Sequence, residues 1–67
     1  NEFLIVDLQD ITDAEEINIL SIAGQLVLSQ DVNQDKMRLN IQGLPSGTYI
    51  VNVKTESDIR VERFVKN

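Results

Sequence analysis

Apolar and polar residues alternate along most of this chain, and they do so in short runs. Met37, Leu39 and Ile41 alternate with Lys36, Arg38, Asn40 and Gln42. A period of two is the mark of a strand with one face buried and the other in water. Tyr49, Val51 and Val53 alternate in the same way with Ile50, Asn52 and Lys54. Ile17, Ile19 and Ser21 alternate with Asn18, Leu20 and Ile22, and the run from Gln25 to Gln30 is predicted to carry Leu26 and Leu28 on one face. Phe3 to Leu8 and Ile59 to Lys66 complete a set of six predicted strands.

The breaks between runs carry turn chemistry. Ala23-Gly24 fits a tight hairpin in which Gly24 takes positive φ at little cost. Asp31 to Asp35 reads as a polar loop, and Glu56-Ser57-Asp58 turns the chain back before the last strand. Gly43-Leu44-Pro45-Ser46-Gly47 is the strongest break, since Pro45 fixes φ and Gly47 admits conformations closed to bulky residues. Thr12 to Glu16 is predicted to be a turn, although Thr12 and Glu15 have the spacing of a helix capping box. Short strands, short loops and no long helical stretch predict an all-β fold, a small antiparallel immunoglobulin-like β-sandwich of six to seven strands. The immunoglobulin type has seven, so a seventh strand is expected upstream of Asn1. Met37, Leu39, Ile41, Tyr49, Val51 and Val53 are expected to share the core.

Sixty-seven residues allow a single domain, 1–67, whose small core implies modest stability. Ile, Val and Leu must supply that core, because Trp and Cys are absent. Without Cys no disulfide or thiolate metal site is available, and the redox compartment is not legible. Eight of the eleven acidic residues precede Lys36, the first basic residue, and the net charge is −5. Such a surface repels a phosphate backbone, so no nucleic-acid partner is expected. No apolar run is long enough to span a bilayer, so no transmembrane segment is expected. Asn1 is preceded by neither Met nor a basic leader, and the chain is expected to be a piece of a longer protein.

Little in the residue set supports catalysis. With neither His nor Cys, imidazole-assisted acyl transfer and thiol nucleophiles are excluded. The carboxylate pairs Glu15-Glu16 and Asp10-Asp13 sit in turn-like segments without an apolar pocket to raise a pKa. Those same acids raise the question of calcium, but their order does not match a calcium-binding loop, and a solvated face accounts for them. No enzyme activity and no cofactor are expected. Phe3, Tyr49 and Phe64 are too few, and read as too buried, for a carbohydrate-stacking surface.

Three stretches, in order, resemble a known family. They are Ile17-Asn18-Ile19-Leu20-Ser21-Ile22-Ala23-Gly24-Gln25-Leu26-Val27, Leu44-Pro45-Ser46-Gly47-Thr48-Tyr49-Ile50-Val51-Asn52-Val53, and Arg63-Phe64-Val65-Lys66. A strand running into a Gly-Gln hairpin, a Leu-x-x-Gly-x-Tyr turn and strand, and a terminal basic-apolar strand are together similar to the type A C-terminal sorting domain of the type IX secretion system of Bacteroidetes-type bacteria. The family's Pro-Asn-Pro-like element before the first strand is missing, and the chain ends in Asn67 where many members end in a basic residue.

The resemblance implies a non-catalytic module carried behind an upstream cargo domain. It implies export through the periplasm to the outer membrane, cell surface or medium, with recognition by an outer-membrane translocon and removal by a sortase. Arg63, Phe64, Val65 and Lys66 are the candidate recognition residues, since a terminal strand can template strand addition by a partner. Gly24, Leu44, Gly47 and Tyr49 carry the motif and are expected to act by holding the fold, as two turn glycines, a plug and a sheet tyrosine with its hydroxyl at the rim. A competing reading is a generic extracellular adhesion or spacer module of the immunoglobulin or fibronectin kind, which would recur internally in its parent protein.

Overall fold

The computed structural model describes residues 2–67. Six strands follow one another, β1 (Phe3–Asp7), β2 (Ala14–Ser21), β3 (Leu26–Asp31), β4 (Lys36–Asn40), β5 (Gly47–Thr55) and β6 (Ile59–Lys66). They form two antiparallel sheets, β1-β4 and β3-β2-β5-β6. The fold class is the expected one, an all-β sandwich.

The core lies between the sheets and is made by alternation. Ile17 and Ile19 of β2 and Tyr49, Val51 and Val53 of β5 point inward from the larger sheet. Met37 and Leu39 of β4 meet them, with Leu8 and Ile41 closing the ends. All six expected core residues are buried, while Lys36, Arg38 and Asn40 face water. The register is therefore the one the pattern implies. Ile17 and Ile19 are the only fully buried large side chains among the described residues, because β2 is flanked on both sides by β3 and β5.

Both hairpins form where expected. Ser21 and Gln25 close the β2–β3 turn with a backbone hydrogen bond of 2.8 Å, and Gly24 has φ of 89°. At the β5–β6 turn, the Thr55 hydroxyl accepts from the Asp58 N–H at 2.9 Å and the Thr55 N–H donates to the Asp58 carbonyl at 2.8 Å.

Three expectations need correction. Residues 14–16 are strand, not turn. Ala14 pairs with Thr55, and Glu16 pairs with both Lys54 and Asp31. Cross-strand pairing thus overrides a local preference, and the misfit of that preference survives as a register shift between Ala14 and Glu16. Leu26 and Leu28 do not share a face. The β2–β3 register pairs Ile19 with Leu28 and Leu20 with Leu26, leaving Val27 as the extra residue of a bulge. Leu28 packs on the core and Leu26 is exposed. Phe3 is also at the surface, where the Arg38 guanidinium lies 3.8 Å from its ring centroid.

Candidate functional site: the terminal strand and its clamp

Strand β6 lies at the edge of the larger sheet and, among the described residues, pairs only with β5. Its register sets two faces. Phe64 pairs with Tyr49, Glu62 with Val51 and Arg60 with Val53, so these point to the core side. Ile59, Val61, Arg63 and Val65 pair with the outward residues Lys54, Asn52, Ile50 and Thr48, so they form a row on the outer face. Val65 is 64% exposed and Arg63 is also open to water. Ile59, Val61 and Val65 are three of eight large apolar side chains exposed among the described residues, and these three line up on one strand beside one guanidinium. Contiguous exposed apolar patches mark places of contact.

The candidate recognition residues divide accordingly. Arg63 and Val65 are on the outer face, and Phe64 is half-buried against Tyr49, with ring centroids 5.4 Å apart and planes 21° from parallel. Lys66 differs from its expected setting. Direct contact with a partner requires an accessible side chain, but Lys66 is 7% exposed. Its position opposite Gly47 turns it to the core side, where it meets the turn after β4. The ammonium Nζ donates to the carbonyl oxygens of Ile41 at 2.8 Å, of Gln42 at 3.1 Å and of Leu44. The Glu2 carboxylate lies 3.5 Å away.

The turn that receives Lys66 is the Leu-x-x-Gly-x-Tyr element. Leu44 is half-buried against the core, and its N–H donates to the Ile41 carbonyl at 3.0 Å. Gly47 has φ of 153°, a region that side-chain-bearing residues avoid. The Tyr49 ring is buried and its hydroxyl donates to the Pro45 carbonyl at 2.5 Å, four residues back. Leu44, Gly47 and Tyr49 therefore meet Phe64 and Lys66 in one cluster, whereas Gly24 lies apart in the β2–β3 turn. Two stretches distant in sequence form one physical unit.

Ile59 and Val61 extend the outer row beyond the candidate residues, and their period of two with Arg63 and Val65 is the signal for it in the sequence. Strand β6 also borders a groove of about 300 Å³ against β1, lined by Leu4, Ile5, Val6 and Asp7 of β1, Val51 and Val53 of β5, and Glu62, Arg63 and Phe64 of β6. Among the described residues no group of acidic side chains converges to hold a metal ion.

A family model described as a secretion system C-terminal sorting domain matches residues 1–67. No curated protein and no solved structure matches. The match covers the hairpin, the Leu44–Tyr49 turn and the terminal strand together, and the chain belongs to the C-terminal sorting domains of type IX secretion.

Proposed function

We propose that the domain is a folded address label whose edge strand β6 is read by the outer-membrane translocon through strand addition. Family membership makes it a secretion sorting domain of an exported protein. The observation that carries the finer reading is the state of β6. It is eight residues long, unpaired on one side, and displays Ile59, Val61, Arg63 and Val65 in a row. An added strand would take its affinity from the free main-chain groups and its specificity from alternate side chains. Under this reading Arg63 and Val65 are contact residues and Phe64 fixes the inner side of the strand. An upstream cargo domain would be delivered and the label then removed by a sortase, with no chemistry performed by the label itself.

The test is a reporter fused upstream of Asn1, with a Pro-Asn-Pro element restored and an export signal added, in a host with type IX secretion. The fusion should reach the cell surface, and deleting 64–67 should hold it in the periplasm. Deletion also removes packing, so Arg63→Gln is the sharper change. Arg63 is exposed and its replacement should alter stability by less than about 0.5 kcal/mol. Delivery lost with the melting temperature kept places recognition on this face. Delivery intact in both variants refutes the reading of β6 and moves recognition to another part of the domain.

A further inference from the structure

The chain's last basic residue is hidden from any partner. An ammonium has three donors and no acceptor. In Lys66 the carbonyls of Ile41, Gln42 and Leu44 take all three, and the Glu2 carboxylate lies close enough to balance the charge. Lys36 and Lys54 are by contrast exposed. A buried charge is tolerated only when paired and hydrogen-bonded, so this arrangement holds only while β6 keeps its register. A slip of one residue against β5 would turn Lys66 to the outer face and Val65 to the inner one. The other ties of β6 near its end are the stack of Phe64 on Tyr49 and the ladder itself.

We propose that Lys66 is a positioning residue for recognition: its ammonium clamps the end of β6 to the 41–44 turn and fixes the register in which Arg63 and Val65 face outward, without being contacted by the receptor. This rests on the reading of β6 as the recognised strand. The clamp joins two segments, so its loss loosens both. The Tyr49 hydroxyl on Pro45 ties the same turn to β5, and so the disturbance reaches Tyr49 while the β2–β3 hairpin is left alone.

The test combines three measurements on the intact chain and the reporter fusion. Amine-reactive labelling followed by mass spectrometry should modify Lys66 at least about tenfold more slowly than Lys36 and Lys54, since modification waits for opening. Labelling of Lys66 at the rate of Lys36 would overturn the clamp. Hydrogen exchange on Lys66→Met, a change of similar length without the charge, should show protection falling together at Phe64–Lys66 and at 41–44, with β2–β3 unchanged. Delivery of the Lys66→Met reporter should fall at the growth temperature and recover at a lower one where that protection recovers. Full protection with delivery lost would show that the ammonium itself is read and would overturn the positioning role. Lost protection with normal delivery would overturn it equally. Failure of the unaltered reporter to sort refutes strand recognition instead, while labelling and exchange still report on the clamp.

Discussion

The deepest side chain offers the plainest test of what holds the sandwich together. Ile19 is 0% exposed, lies on β2 between Leu28 and Val51, and faces the smaller sheet. Ile19→Ala removes about three buried methylene equivalents, worth about 0.8 kcal/mol each in transfer alone, or about 2.4 kcal/mol. The cavity adds to this, because neighbours on two paired strands cannot collapse into the space, and the expected total is about 3–5 kcal/mol. A domain of 67 residues has only about 3–10 kcal/mol of stability at about 0.05–0.15 kcal/mol per residue. The variant should therefore be largely unfolded if the parent's stability lies in the lower part of that range, and folded with a much lower midpoint if it lies in the upper part.

Urea unfolding followed by far-ultraviolet circular dichroism is the assay, with fluorescence of Tyr49, the single tyrosine in a chain without tryptophan, as the second probe. With a slope near 1 kcal/mol/M for so small a protein, the midpoint should fall by about 3 M or more, or the transition should vanish. Ile19→Val should cost only about 0.5–1.5 kcal/mol. Ile22→Ala is the control: Ile22 is 71% exposed in the β2–β3 turn, and its truncation should stay within about 0.5 kcal/mol. Equal midpoints for Ile19→Ala and Ile22→Ala would refute the assignment of the core to the inner face of β2.

Two further outcomes concern the turn before β5. Gly47→Val should cost about 1–3 kcal/mol through backbone strain at φ of 153°, since an added Cβ meets no atom within 4 Å; an unchanged thermal melt would remove that account. Tyr49→Phe keeps the stack on Phe64 but loses the hydrogen bond to Pro45, and should lower stability by about 0.5–1.5 kcal/mol in the same melt; no change would mean that water replaces that bond without loss.

The strands were legible wherever burial on one face imposed a clean period of two. Met37-Leu39-Ile41 and Tyr49-Val51-Val53 show it, and both lie inward as read. Reading failed where a long-range partner outvoted the local signal. Ala14 to Glu16 reads as a turn because the polar stretch from Thr12 is too short for a helix before Ile17 favours extension again, but Thr55 and Lys54 recruit it into the sheet. Leu26 and Leu28 obey the period of two in sequence and break it in space, because the bulge at Val27 resets the register. Lys66 was the largest miss among the site residues. Lysine at a chain end is normally solvated, and its partners lie 22 to 25 residues earlier in the chain. Nothing within its own window announces three convergent carbonyls.

That miss changes what a terminal sequence pattern can mean. A label read as a loose peptide would have to lose its conformational freedom on contact, at a cost of about 1–2 kcal/mol for each ordered backbone residue. In this domain β5 already holds β6 extended, the Tyr49–Phe64 stack sets its inner side, and Lys66 fixes its end. The order is therefore present before any receptor arrives, and binding can use main-chain groups already aligned for pairing. An open edge of eight residues is also a hazard, since a second copy could pair with it as readily as a receptor could. Arg60, Glu62 and Arg63 lie along it, all exposed, and like charges brought close on pairing oppose indiscriminate association. Under the proposed reading, basic residues near the C-terminus serve two separate physical ends: Arg63 would shape what approaches the strand, and Lys66 would hold the strand in register.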